Sequence, residues 1–168
     1  MPAPTLALAF RVLTILSVYF VNNQSICVKI VPLPPRIAEL IREDDVCKET
    51  ISLLAVIANN LDNAYKLAEG KFTQSLITQP FLETVKQKKL SQELSQMLMK
   101  MVTNGVIEKE DMGEVLRNAE GAGVELAPEL VERQKKGDEE RKGKVDLAGK
   151  SMRSGRKVRM FKTDGSVS

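Results

Sequence analysis

The run Leu6–Val21, LALAFRVLTILSVYFV, constrains this chain more than any other stretch. It lies within residues 1–38, which contain no Asp and no Glu and whose only charged side chains are Arg11, Lys29 and Arg36. A stretch this apolar is buried in a core, laid against lipid, or removed as a signal. As one helix it rises about 24 Å, short of the ~30 Å hydrocarbon layer. Arg11 interrupts it and costs about 2.5–3.5 kcal/mol at mid-membrane on insertion scales. A secretory signal needs a basic start and a small-residue cleavage site, but MPAPT has no charged side chain and no clean A-x-A-like cleavage site follows the apolar run. An organellar presequence carries more Arg and Ser.

The adopted reading of residues 1–31 is a membrane anchor or membrane-surface helix, with a cleaved signal and a core helix as alternatives. Lipid contact is expected from Leu6, Leu8, Phe10, Leu13, Ile15, Leu16, Tyr19 and Phe20. The expected location is membrane-associated, with cytoplasmic and secreted as alternatives.

Residues 26–31, ICVKIV, show the chain's one strand-like alternation. The run Val31-Pro-Leu-Pro-Pro35 follows. Prolines at this density favour extended polyproline geometry, so residues 32–35 read as a stiff spacer.

Residues 36–136 read as a helical domain. RIAELIRE, 36–43, is a short helix. Asp44 or Asp45 then caps a longer one, with Glu49 near its positive end. Its apolar positions from Val46 to Ala68 follow helical spacing, and Gly70 is its stop. Pro80 opens a helix that runs to about Thr103, with Leu82, Val85, Leu90, Leu94, Met97, Leu98, Met101 and Val102 as one stripe. Met97 and Met101 share a face that Met99 does not, which fits core filling. Asn104-Gly105-Val106 reads as a helix end, with Gly105 left-handed and Val106 folded back on the last turn. A further helix spans about Glu108–Glu120 and ends at Gly121-Ala-Gly123. Pro128 starts another, to about Lys136. No sequence period of 20–50 residues stands out. These faces imply a small all-α bundle of three to five helices.

The tail, 137–168, differs in composition. From Glu132 to Ser168 there are 12 Lys+Arg and 6 Asp+Glu, in a chain whose net charge is +3. Residues 147–163 carry Lys150, Arg153, Arg156, Lys157, Arg159 and Lys162 with no acid and one aromatic, Phe161. That is too little apolar surface to fold alone, so the tail is expected to be mostly disordered. It could contact nucleic-acid phosphates, an anionic membrane or an acidic protein.

Catalytic patterns fail. With no His, the chain has no Ser-His-Asp or Cys-His system and no histidine metal ligand. Gly149-Lys150-Ser151 resembles the end of a phosphate loop, but Lys144 stands where the first glycine belongs. Cys27 and Cys47 cannot complete a zinc site; exported, they could form one disulfide. The acidic runs Glu43-Asp44-Asp45 and Asp138-Glu139-Glu140 are a cap and a solvated run, since neighbouring side chains diverge. No catalytic, cofactor or metal residue is therefore expected. The expected function is a non-enzymatic helical interaction or assembly protein, associated with a membrane through its N-terminal segment. Its partner would be another protein or a second copy, met through apolar helix faces. The alternatives are a nucleic-acid-associated accessory protein using the basic tail and a secreted helical protein with one disulfide.

Overall fold

Proline opens four of the described helices, the stretch from Pro128 among them, as its missing N–H and fixed φ allow. In the computed structural model, which describes residues 1–69, 71–136, 139, 140, 142 and 143, Pro4 lies in the first turn of α1 (Ala3–Leu16). Pro34 and Pro35 are the first two residues of α3 (Pro34–Leu40), and Pro80 is the second of α7 (Gln79–Gln87). Between and after them come α2 (Phe20–Ile30), α4 (Val46–Ile57), α5 (Leu61–Glu69), α6 (Phe72–Leu76), α8 (Ser91–Thr103) and α9 (Lys109–Gly121). A tenth helical stretch covers 128–136. The described residues contain no strand.

The all-α class holds, with ten helices rather than three to five. The excess comes from breaks within long apolar stretches. Leu6–Val21 is cut at Ser17–Tyr19, where Tyr19 turns extended (φ −84, ψ 125). The expected helix from Val46 to Ala68 is cut at Asn59-Asn60. The one expected from Pro80 to Thr103 is cut at Lys88-Lys89, where Lys89 takes φ +55. Of residues 26–31, 26–30 are helical in α2 and Val31 is its cap, because Ile26, Cys27 and Ile30 fall on one buried helix face. The spacer expected at 32–35 is short: Leu33 is already near helical angles (φ −89, ψ −9) and Pro34 is buried.

Two of the helix ends follow the sequence closely. Gly105 has φ +75; the Val106 N–H donates to the Met101 carbonyl at 2.8 Å and the Gly105 N–H to that of Val102. Gly123 (φ +74) repeats the arrangement, with Val124 N–H on the Ala119 carbonyl. Both are Schellman closures, each with the following valine buried. Lys89 makes a third, with Leu90 N–H on the Val85 carbonyl at 2.9 Å.

The chain divides into two units, Met1–Val131 and Glu132–Ser168. In the first, helices pack in rows. α4 lies against α1 on one side and α8 on the other; α3 lies against α6, and α2 against α5. A hydrogen bond from Gln74 to Asp111, 2.8 Å, ties α6 to α9. Partners in a row are spaced by roughly 40 residues in the chain, the period of two- and three-helix solenoid repeats. The repeat is one of packing, since no sequence period accompanies it. The helix between two neighbours is buried nearly all round: Val46, Cys47, Thr50, Ile51, Leu53, Leu54 and Ile57 of α4. The methionine reading holds: Met97 and Met101 are fully buried, and Met99 is partly so. Of the second unit, residues 132–136, 139, 140, 142 and 143 are described, all helical.

Candidate functional site

α1 has an apolar surface on both sides. Ala3, Leu6, Ala7 and Phe10 are buried toward the core. Leu8, Val12, Ile15 and Leu16 are exposed. At 100° per residue the two sets lie about 180° apart on the helix. The outer set continues into the α1–α2 corner, where Val18, Tyr19, Phe20 and Val21 are each more than 60% exposed. Among the described residues, twelve large hydrophobic side chains are exposed, and ten of them lie between Met1 and Val28. Scattered apolar exposure is ordinary in soluble proteins, but here it is concentrated in one segment.

Two polar devices hold this surface in place. The first joins α1 to α4. Arg11 Nε and Nη2 donate to Glu49 Oε1 at 2.9 and 2.7 Å, and Asp45 Oδ2 lies 3.7 Å from Nη2. Glu49 is 8% exposed, so its charge is held in place by Arg11 at the edge of the core. The hydrogen bond and charge of Glu49 raise the Arg11 pKa above its ordinary value. Arg11, an interruption in the apolar run, is thus the clip between the first two helices of this row.

The second device closes the corner. Ser17 Oγ donates back to the Leu13 carbonyl at 2.7 Å, which ends α1. Asn23, buried, donates from Nδ2 to the Ser17 carbonyl at 2.9 Å and the Val56 carbonyl at 3.3 Å. Asn63, fully buried on α5, donates to Asn23 Oδ1. Asn60 Oδ1 accepts from the Asp62 N–H at 3.0 Å, as a helix cap does. Asn60 Nδ2 and Asn63 Oδ1 have no hydrogen-bond partner. A shallow cleft of about 310 Å³ opens beside them, lined by Ser17, Val18, Phe20, Asn23, Val56, Asn59 and Asn60.

The expected lipid-contact residues therefore divide. Leu8, Ile15, Leu16, Tyr19 and Phe20 are open, but Leu6 and Phe10 lie in the core and Leu13 packs against it. The correction has a simple cause: a helix of a folded row spends one face on its neighbour. Val12, Val18 and Val21 belong to the open surface although they were not singled out. The spacing Leu8, Val12, Ile15, Tyr19, alternating four and three, was the signal for Val12. No described helix is long and apolar enough to cross a membrane.

The remaining expectations fall elsewhere. Cys27 and Cys47 are buried free thiols, not a disulfide. Burial raises both thiol pKa values, that of Cys47 to about 12, so neither is a poised nucleophile. Asp45 stands at the start of α4, yet its side chain makes no cap bond and reaches Arg11 instead. Asp44 is left-handed, φ 42. Lys150, Arg153, Arg156, Lys157, Arg159 and Lys162 lie outside the described residues. Among the described residues no three His, Cys, Asp or Glu gather as a metal site would require. A larger open groove, about 810 Å³, runs along α8 beside residues 125–129, with Ser95, Met99, Lys100, Leu126 and Pro128 on its walls.

Comparison with known proteins adds no identity: no protein family, curated protein or solved structure matches this chain.

Proposed function

We propose that this chain is a non-enzymatic interaction and assembly module whose docking surface is the outer face of α1 and the α1–α2 corner. One observation carries the reading: the concentration of exposed apolar side chains on a segment without a single carboxylate. The surface is rigidly backed, because α1 is fixed to α4 by packing and by the Arg11–Glu49 clip. It offers apolar contact and the two aromatics Tyr19 and Phe20, which suit binding through water exclusion. Association with a membrane, on this reading, is adsorption of the same face.

The test is made in extracts of cells that express the full chain. Wild type is expected to migrate in an assembly larger than one chain, and Ile15→Glu to migrate as the free chain. Alkaline carbonate is expected to release wild type into the supernatant. A free wild-type chain, or one retained with carbonate-stripped membranes, would overturn the reading.

A second reading rests on the six basic residues of 147–163, with no acid among them. They suit nucleic-acid phosphates, and six neutralised phosphates give a log-log salt slope of about −4 to −5. Salt-sensitive binding to nucleic acid that is lost when residues 147–168 are removed would support it. Salt-independent binding, or none, would exclude it.

A further inference from the structure

We infer that the partner for the α1 face is a second copy of this chain, docked α1 against α1 across a two-fold axis. The inference rests on the docking surface proposed above and names its occupant.

The argument begins with α4. A helix flanked by neighbours on both sides of its row is apolar nearly all round, as α4 is between α1 and α8. α1 has the same character, with apolar residues on opposite sides, yet its packing against α4, and at its end α2, leaves the side bearing Leu8, Val12 and Ile15 open. In stacked helical repeats a terminal face needs a polar exterior or a covering unit. α8, at the far end of the row of α1 and α4, shows the polar solution: Gln92, Glu93 and Gln96 occupy exposed positions on it. α1 shows the other, with Leu8, Val12, Ile15, Leu16, Tyr19 and Phe20 exposed.

Three features select a second copy. A head-to-tail stack would set the apolar α1 against the polar exposed side of α8, a mismatch, so the closed arrangement pairs like with like. On α1 the exposed row Leu8, Val12 and Ile15 is spaced by four and three, the spacing of a seam that meets another helix, with the β-branched Val12 and Ile15 among its knobs. The open apolar side chains from Leu8 to Val21 present on the order of 1,000 Å², and a stable interface needs about 800 Å² from each partner. Charge offers no obstacle: Arg11 is the one charged side chain of α1, and its charge is already met by Glu49 and Asp45.

Sedimentation velocity of the purified full chain tests this. Wild type is expected to sediment as a concentration-dependent dimer. Ile15→Glu, at a position 66% exposed, is expected to weaken the dimer at least about thirtyfold while circular dichroism and the melting curve of the monomer stay intact. Val12→Cys is expected to oxidise to a covalent dimer faster than Tyr65→Cys, placed on α5 away from the seam. Larger open-ended assemblies would overturn the two-fold arrangement. A monomeric purified chain that still enters an Ile15-dependent assembly in extracts would overturn the second copy and leave the module reading standing. A monomer that binds neutral lipid vesicles through Ile15 would replace the copy with a bilayer. A chain that is free under every condition would remove both inferences.

Discussion

Arg11 on α1 and Glu49 on α4, 38 residues apart in the chain, share a hydrogen-bonded ion pair in which two guanidinium nitrogens, Nε and Nη2, reach the same carboxylate oxygen. The carboxylate is buried while the guanidinium remains about half exposed. Removal of the cation alone leaves a buried charge without its counterpart, whereas removal of both leaves an apolar contact. Arg11→Met is therefore expected to lower the melting temperature, and Arg11→Met with Glu49→Leu to recover most of it. Thermal melts of the two single variants and the double variant decide the matter. A double variant no more stable than Arg11→Met would show that the pair is incidental.

The two cysteines give a pH-dependent outcome. A thiol whose pKa is raised on folding keeps its proton longer in the native state, so its contribution is intact below the unfolded value near 8.5 and is lost as pH rises above it. For Cys47 the loss extends toward the folded value of about 12. Stability is expected to fall between about pH 9 and 12, and less so in Cys47→Ala. A thiol reagent at pH 8 is expected to label neither Cys27 nor Cys47 until the protein unfolds. Rapid labelling of native protein would contradict their burial.

Backbone sign changes separate two of the helix ends. Gly105 needs φ +75 but has open space where a Cβ would stand. Gly105→Ala is expected to cost about 1 kcal/mol through the backbone alone. Lys89 holds the same kind of position with a side chain, φ +55. Lys89→Gly is expected to be neutral or stabilising by up to about 1 kcal/mol, the relief of a left-handed L-residue set against glycine's entropy. Denaturant unfolding with an unchanged m-value reads both differences. A destabilised Lys89→Gly would mean that its side chain matters more than its backbone.

Opposite faces of α1 provide a further contrast. Phe10 is 2% exposed, and Phe10→Ala is expected to cost about 3–5 kcal/mol. Leu8, two residues away, is 59% exposed, and Leu8→Ala is expected to stay within about 0.5 kcal/mol in the monomer. Equal effects would contradict the orientation of the helix.

Much of the helical content was legible because its signals are local. Pro80 and Pro128 mark starts, Gly105 and Gly123 mark ends, and the stripe from Leu82 to Met101 is buried throughout. The breaks that changed the helix number were not legible, because their causes are distant or unconventional. Asn23 bonds the Ser17 carbonyl at the corner, the side chain of Asn60 caps α5, and Lys89 takes a turn position usually given to glycine. The candidate surface was half legible. Apolar content located the segment, but the division of Leu6 and Phe10 from Leu8 and Ile15 depends on which side α4 occupies. That placement comes from contacts more than 30 residues apart, including the one between Arg11 and Glu49.

The row arrangement has a consequence for how the chain acquires its structure. Each joint is made between helices only roughly 40 residues apart, so no early step must bring the ends of the first unit together. Formation can begin at any joint and spread to the next, and opening can begin at a row end without dissolving the middle. Amide exchange should then be graded, slowest along α4 and faster outward, which makes α1, the proposed docking face, also the first helix to let go.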